Sequence, residues 1–168
     1  MFGPNIMRCT MNGEEAMRET TPIRCGRPAD AWSVRACAVA AYSRYIAAIG
    51  CPPAPMVADF DALIATGSLH VAEGEDGNLT GFIVFYPMDG AMMLENVAVR
   101  SDAAGQGIGR ALIAFCEGEA RRAGLPAVTL YTNAAMTDNL AIYPRLGYMR
   151  TGRRTEDGFD RVYFRKSL

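Results

Sequence analysis

Residues 94–123 constrain the fold of this chain more than any other stretch, because a strand, a glycine-rich turn and a helix follow one another there without a gap. The apolar run over residues 92–99, β-branched toward its end, is typical of a buried strand. Residues 105–109 read Gly-Gln-Gly-Ile-Gly, and the pattern after them predicts a helix that ends before Pro126. Glu117 falls largely off the apolar stripe of this helix, which consists of Ile108, Leu112, Phe115, Cys116 and Ala123.

This succession predicts an anion-binding site at the start of the helix. The first N–H groups of a helix have no partner within it, and the helix dipole adds partial positive charge there. Glycines allow a phosphate to approach these N–H groups because no Cβ stands in the way. The expected ligand of residues 105–110 is therefore a phosphate or pyrophosphate group.

Two nucleotide-binding motifs do not fit this turn. The dinucleotide motif G-x-G-x-x-G would need glycine where Arg110 stands, and the next strand ends in Thr132 and Asn133, with no acidic residue placed to hold a ribose. The nucleoside-triphosphate loop requires Gly-Lys-Ser/Thr, and the turn contains no lysine. A nucleotide-binding domain that uses the same glycines therefore stays only as a rival interpretation.

The glycine turn resembles the acetyl-CoA pyrophosphate loop of the GNAT superfamily of N-acetyltransferases, usually written Q/R-x-x-G-x-G/A. Gly107-Ile108-Gly109 matches its end, whereas Ala104 replaces the leading Gln or Arg. That replacement removes one side-chain contact and leaves the backbone cradle intact. Residues 139–148, NLAIYPRLGY, resemble the family's C-terminal motif. The resemblance covers residues 21–168.

The resemblance implies an α/β (α+β) fold with the order β-α-α-β-β-β-α-β-α-β-β. Its central sheet is mixed and mostly antiparallel, splays apart between strands four and five, and is flanked by about four helices. One acyltransferase domain is predicted over residues 22–168, after a disordered or poorly ordered leader, residues 1–21, that shows no sustained period. A long first helix, apolar on two faces, is predicted over residues 31–49, and the prolines after Gly50 prevent it from continuing.

Composition narrows the classes of function. The chain has 168 residues, a formal net charge of −1 and one histidine. A nearly neutral chain gives no electrostatic reason to expect nucleic acid or an anionic membrane as a partner, and no apolar run approaches the length of a membrane span. Five scattered cysteines without a C-x-x-C pair do not form a zinc-binding pattern, so no metal is expected. A reducing cytoplasm is the simplest predicted location.

Acetyl transfer to an amine requires a base for the amine, a fixed N–H donor for the oxyanion and an acid beside the leaving thiolate. The resemblance implies that a bulge in strand four exposes the backbone N–H of Val97 as the oxyanion donor, and that Tyr143 on the last helix is the acid. Pro144 disfavours helical geometry at Tyr143, so a bend is expected there. Glu95 is the candidate base, acting through water, with pairing to an arginine as the alternative. His70 is interpreted as structural.

The resemblance also implies the residues that bind CoA. They lie on strand four, in the glycine turn and on the last helix: Val97, Ala98, Val99, Ala104, Gly105, Gln106, Gly107, Ile108, Gly109, Arg110, Asn139 and Tyr143. The predicted acceptor-binding residues are Tyr42, Tyr45, Met56 and Glu95. Except for Glu95 they lie before or within the proline-rich connection over residues 50–57. Their apolar and aromatic character suits an amine on an apolar or aromatic body better than a polyamine or an aminoglycoside.

The sequence thus predicts an N-acetyltransferase that transfers an acetyl group from acetyl-CoA to a primary amine of a small molecule or peptide by direct attack. The alternative is a non-catalytic acyl-CoA-binding regulatory module of the same fold. Acetyl-CoA is the expected co-substrate, and the amine is the expected partner. The sequence leaves open whether the protein forms a homodimer.

Overall fold

A seven-stranded sheet organises the chain. The computed structural model describes residues 21–168, so the predicted leader over residues 1–21 lies outside the described residues except for Thr21. The strands are β1 (Ile23–Cys25), β2 (Leu69–Glu73), β3 (Leu79–Met88), β4 (Ala91–Val99), β5 (Ala127–Asn133), β6 (Met149–Glu156) and β7 (Phe159–Ser167). The helices are α1 (Ala31–Tyr42), α2 (Ile46–Ile49), α3 (Phe60–Ala65), α4 (Ile108–Arg122) and α5 (Thr137–Arg145).

The strands lie side by side in the order β1-β2-β3-β4-β5-β7-β6. All neighbours are antiparallel except β4 and β5, which are parallel. Tight turns join β3 to β4 at Asp89-Gly90 and β6 to β7 at Asp157-Gly158, where both central residues have positive φ. Such turns match the twist of antiparallel strands, which explains why these two connections form hairpins. The mixed, mostly antiparallel sheet predicted from the resemblance is confirmed.

Strands β4 and β5 separate after a short parallel contact. Only three residue pairs are in register, Met92 with Val128, Met93 with Thr129 and Leu94 with Leu130. Beyond Leu94 the two strands no longer bond to each other, although β4 continues to Val99 and β5 to Asn133. The predicted splay between strands four and five is therefore present, and it opens a gap in the middle of the sheet.

Two apolar cores cover the two faces of the sheet. On one face α4 packs over β3, β4 and β5, with Ile83, Leu94, Leu112, Cys116 and Leu130 fully or almost fully buried. On the other face α1 and α3 pack over β2 and β3, with a core that includes Val34, Phe60, Leu69, Val71, Phe82 and Val84. Burial of side chains of this size contributes about 1.5–3 kcal/mol each. The helices are thus held to both faces of the sheet.

Glu117 lies inside the first core, contrary to its predicted place off the apolar stripe of α4. It is 7 % exposed. The Lys166 ammonium donates to both carboxylate oxygens, at 2.8 and 2.9 Å, and the Tyr148 hydroxyl donates to one of them at 3.1 Å. A buried carboxylate persists only when it is paired and hydrogen-bonded in this way. The interaction ties α4 to β7.

The long helix predicted over residues 31–49 is divided. α1 ends at Tyr42, a 3₁₀ turn follows at Ser43–Tyr45, and α2 then runs to Ile49 before Gly50, whose φ is +86°. The Ser43 hydroxyl donates back to the carbonyl of Val39, a bond that commonly bends helices. Because a 3₁₀ turn has three residues per turn rather than 3.6, the helix surface rotates at this point.

Candidate active site

A β-bulge in β4 lies at Glu95. Asn96 pairs with Val84 and Leu94 pairs with Phe85, so Glu95 has no partner on β3. The bulge was predicted from the resemblance near Val97, and the structure places it two residues earlier. An extra residue shifts the alternation of a strand, so peptide groups that faced one neighbour before the bulge face the other after it.

The register beyond the bulge sets the direction of the Val97 N–H. The amide of Arg100 donates to the carbonyl of Thr80 at 2.9 Å, which marks these two residues as a hydrogen-bonded antiparallel pair. Bonded and non-bonded pairs alternate along such a ladder. Val97 and Val99 are therefore non-bonded positions, and their N–H and C=O groups point away from β3 into the gap left by β5. This is the orientation required for an oxyanion donor and for pairing with an extended ligand.

The larger of two cavities, here called the donor cleft, runs along the free edge of β4. It extends from the glycine turn to α5 and encloses about 2070 Å³ of empty space, part of it open to solvent. Of the predicted CoA-binding residues, all except Gln106 line the donor cleft. Arg44, Arg110 and Arg145 also line it, and no lining residue is acidic. The cleft is therefore suited to a polyanionic ligand.

The glycine turn forms an open cradle at the start of α4. Gly105 and Gly107 have φ values of +79° and +81°, and no atom lies within 4 Å of the position where a Cβ would stand. The first helical bond runs from the Ala111 amide to the Gly107 carbonyl at 3.0 Å. Among the described residues, the N–H groups of residues 105–110 donate to no acceptor. Free N–H groups, absent side chains and the helix dipole together fit a pyrophosphate.

The second cavity, here called the acceptor cavity, lies on the other side of the gap and encloses about 860 Å³ of empty space. Its walls come from β4, β5, α5, the start of β7 and the proline-rich connection after α2: Tyr42, Ile49, Pro53, Ala54, Pro55, Ala58, Leu63, Leu94, Glu95, Asn96, Val97, Tyr131, Thr132, Asn133, Met136, Asn139, Tyr143, Phe159 and Arg161. Part of this space is open to solvent.

Four residues, Tyr42, Val97, Asn139 and Tyr143, line both cavities. The donor cleft and the acceptor cavity therefore meet at the backbone of Val97. Asn139 is held at this junction by its side-chain amide, which donates to the Thr132 hydroxyl at 3.2 Å. A thioester carbonyl brought along the donor cleft to this point would be within reach of a group that enters from the acceptor cavity.

Tyr143 lies at the junction and is 6 % exposed. Among the described residues, nothing forms a hydrogen bond with its hydroxyl. Burial raises its pKa to about 12, and the neighbouring Tyr45 hydroxyl contributes in the same direction. The hydroxyl therefore stays protonated at neutral pH and is free to donate a hydrogen bond. Although a bend was expected at Tyr143, α5 continues through Tyr143 and Pro144 and ends at Arg145.

Glu95 lies on the wall of the acceptor cavity. Glu95 is exposed to solvent overall, but partial desolvation of its carboxylate raises its pKa, while a hydrogen bond from the Tyr86 hydroxyl acts in the opposite direction. No Lys, Arg or His among the described residues lies within 4 Å of this carboxylate, so the alternative of an arginine partner is not realised there. A carboxylate with a raised pKa is a better proton acceptor than an ordinary one.

The other predicted residues are not all brought to the acceptor cavity. Tyr45 lines the donor cleft instead, and Met56 and Gln106 line neither cavity. His70 lies in β2, where its ring stacks on Phe85 with ring centres 4.7 Å apart, and it lines neither cavity. Burial lowers the pKa of His70.

The residues of one wall of the acceptor cavity were not predicted from the sequence. Tyr131, Phe159 and Arg161 reach it because β7 pairs with β5, where Asn133 is opposite Arg161. Asn96 was also missed, although it directly follows the predicted base. The Asp157-Gly158 hairpin signal located the start of β7 in the sequence, but not its neighbour in the sheet.

The described part of the chain contains neither a metal-binding cluster nor a membrane-spanning helix. Within residues 21–168, no group of three or more His, Cys, Asp or Glu side chains could hold a metal ion. No helix in this range is both long and apolar enough to cross a membrane.

A mixed sheet that opens between parallel β4 and β5, with a helix beginning at a glycine turn after β4, is the fold of the GNAT acetyltransferases. The model of the acetyltransferase (GNAT) family matches residues 38–148, more than half of the chain. The chain therefore belongs to this family, which confirms the resemblance predicted from the glycine turn. No curated protein sequence matches the chain significantly.

Solved structures share this fold. The ribosomal-protein-S18-alanine N-acetyltransferase of Escherichia coli is 20% identical over 88% of this chain and 94% of its own, with a TM-score of 0.69. The PaiA N-acetyltransferase of Thermoplasma acidophilum, solved with coenzyme A, is 17% identical over 88% and 99%, with a TM-score of 0.67. Nourseothricin acetyltransferase is 27% identical over 59% of this chain, with a TM-score of 0.55. That match spans 64% of nourseothricin acetyltransferase, less than two thirds of its length.

Proposed function

We propose that this protein transfers an acetyl group from acetyl-CoA to a primary amine of a small molecule or peptide by direct attack. One observation carries the proposal: the donor cleft and the acceptor cavity meet at Val97, with Tyr143 at the junction and Glu95 on the acceptor side. An oxyanion donor, an acid and a base thus lie around one point that both substrates can reach.

The donor side binds acetyl-CoA through groups of opposite charge and through backbone pairing. The N–H groups of residues 105–110 receive the pyrophosphate, and Arg110 and Arg145 supply further positive charge. The outward N–H and C=O groups of Val99 pair with the amide groups of the pantetheine arm, as an added strand would, and the Val97 N–H stays free for the thioester carbonyl.

The transfer step makes one C–N bond and breaks one C–S bond. The amine nitrogen attacks the thioester carbonyl, and the Val97 N–H stabilises the negative charge that develops on the carbonyl oxygen. Glu95 accepts the proton that the amine loses, through a water molecule. The departing sulfur leaves as a thiolate beside the Tyr143 hydroxyl, which donates a hydrogen bond to it. Because burial raises the pKa of Tyr143 to about 12, this hydroxyl stabilises the thiolate mainly as a hydrogen-bond donor.

A substrate screen tests the proposal. The full chain is incubated with acetyl-CoA and pooled amines, amino acids, aminoglycosides and peptides, and the products are read by mass spectrometry. We expect at least one N-acetylated product, formed together with an equal amount of free CoA. Tight CoA binding with only slow hydrolysis of acetyl-CoA would instead support the regulatory module.

A further inference from the structure

The acceptor cavity contains two charged side chains, and one of them is already neutralised. The Arg161 guanidinium donates to Glu156 at 3.1 Å and lies 3.4 Å from the carboxylate of Asp157. It also lies over the ring of Tyr131, 4.6 Å from the ring centre. Its side chain is only 17 % exposed, and neither carboxylate partner lines the cavity. Arg161 is therefore held by groups behind the wall and has little capacity left for a ligand.

Glu95 is the second charged side chain of the acceptor cavity, and its charge is not neutralised. Among the described residues, no cation pairs with it, and it accepts a hydrogen bond from the Tyr86 hydroxyl, which is uncharged at neutral pH. The ring of Tyr131 also faces the cavity. The cavity consequently presents one unbalanced negative charge, with aromatic groups close to it.

The rest of the cavity is mostly apolar. Ile49, Pro53, Ala54, Pro55, Leu63 and Met136 form its apolar part, whereas the polar lining residues, Asn96, Thr132, Asn133 and Asn139, are uncharged. The apolar side chains offer neither charges nor hydrogen bonds to a ligand. Any charged group of a ligand that entered this apolar part would lose its hydration without gaining a partner, which disfavours its binding.

We infer that the acceptor is a small primary amine with a single cationic nitrogen on an apolar or aromatic body, and with no carboxylate. The ammonium group binds beside Glu95, and the body fills the apolar part of the cavity. This inference rests on the proposed function and names the substrate class of the same site.

Two common classes of amine are disfavoured on this account. A polyamine or an aminoglycoside brings further ammonium groups, for which the cavity has no second free carboxylate. An amino acid brings a carboxylate, which Glu95 repels and which Arg161, already held by two carboxylates, does not attract. The cavity thus selects its ligand as much by lacking partners for additional charged groups as by making favourable contacts.

Three probe amines test the inference: 2-phenylethylamine, L-phenylalanine and spermidine. The first two differ only in the carboxylate. We expect kcat/KM for 2-phenylethylamine to exceed that for each of the others at least about tenfold. Calorimetric titration of the three amines into the CoA complex should give the same order. Equal or better use of spermidine or phenylalanine would overturn the inferred class, even though acetylation itself would support the proposed function.

The two proposals fail in different ways. If neither these amines nor any compound of the pooled screen is acetylated although acetyl-CoA binds, the proposed function is wrong, and the order of binding still decides whether the cavity selects a monocation. Equal binding of all three amines would overturn that selection.

A variant separates the role of Arg161 from general charge effects. Glu156→Gln removes one of its two carboxylate partners, and we expect the ratio of kcat/KM for phenylalanine to that for 2-phenylethylamine to rise at least about threefold. Glu75→Gln, which changes an exposed residue in the turn between β2 and β3, is the control with the same change of charge. An unchanged ratio in Glu156→Gln, or an equal rise in both variants, would contradict the account of Arg161.

Discussion

The hydroxyl of Tyr42 shares its proton between two acceptors, the carbonyl oxygen of Val97 at 3.0 Å and the side-chain oxygen of Asn96 at 2.6 Å. Tyr42 comes from α1, so this contact connects the helix layer to the strand directly after the bulge. It holds the carbonyl group of Val97 and the side chain of Asn96, the residue before the proposed oxyanion donor. Tyr42 was predicted as an acceptor-binding residue, and the structure gives its hydroxyl a second task, the positioning of Val97.

Tyr42→Phe tests this positioning. A hydrogen bond of this kind is worth about 1 kcal/mol, so we expect kcat to fall about fivefold to tenfold. KM for acetyl-CoA should stay within about twofold, because the donor cleft keeps its phosphate and backbone contacts. In the infrared spectrum of bound acetyl-CoA, the thioester carbonyl band should also move toward its frequency in water.

The control for this experiment is Tyr163→Phe, which removes a hydroxyl bonded to Glu156 in the β6–β7 hairpin, outside both cavities. A carbonyl band that does not move in Tyr42→Phe would show that Tyr42 does not position the oxyanion donor.

Gly107→Val should weaken CoA binding at least about tenfold, or about 1.4 kcal/mol, because a side chain would occupy the place of the pyrophosphate. The positive φ of Gly107 means that the substitution also strains the backbone. Gly158→Val is a matched control, since Gly158 has a φ of +80° and equally open space but lies in the β6–β7 turn.

Calorimetry and thermal unfolding distinguish binding from strain in these two variants. We expect similar losses of melting temperature in both and a loss of CoA affinity only in Gly107→Val. An unchanged affinity in a folded Gly107→Val protein would remove the glycine turn from the CoA site.

Tyr143→Phe should lower kcat more than it changes KM for acetyl-CoA, because the hydroxyl acts on the leaving thiolate. Since burial raises the pKa of Tyr143 to about 12, activity should show no loss from its ionisation between pH 7 and 10. Tyr148→Phe is the control. Its ring packs against that of Tyr143 at 5.9 Å, and its hydroxyl, bonded to Glu117, lines neither cavity. Equal losses of kcat in both variants would assign Tyr143 a packing role only.

Glu95→Gln should remove the acidic limb of the pH profile of kcat/KM. As a base, Glu95 must be ionised, so wild-type activity should fall as the pH decreases through its pKa, which lies above the usual 4.5. An acidic limb that persists in the variant would mean that the base lies elsewhere.

The same substitution should stabilise the fold at pH 7. A carboxyl group whose pKa is raised in the folded state contributes stability below its unfolded pKa, and this contribution is lost as the pH rises through the folded value. Glutamine resembles the protonated form at every pH. We therefore expect the melting temperature of Glu95→Gln to exceed that of the wild type at pH 7 and the difference to shrink toward pH 4. A lower melting temperature at pH 7 would contradict the desolvation of Glu95.

The sequence predicted best those features that depend on residues close together in the chain. The strand, turn and helix over residues 94–123 are contiguous, so their order predicted both the anion cradle and the family. The site depends more on register and pairing across long stretches of the chain. The position of the bulge at Glu95 follows from the pairing of β4 with β3, and Arg161 reaches the acceptor cavity because β7, not β6, pairs with β5. Likewise, Glu117 is buried because Lys166, 49 residues away, pairs with it.

Direct transfer from acetyl-CoA to the amine at Val97 is the central claim, and an isotope experiment tests it most directly. The protein is incubated with acetyl-CoA labelled with ¹³C in the acetyl group, with and without 2-phenylethylamine, and free CoA, labelled product and intact protein are measured by mass spectrometry. We expect CoA and labelled N-acetyl product in equal amounts, formed only when the amine is present, and no label on the protein. Label on the protein, or equal release of CoA without the amine, would contradict it.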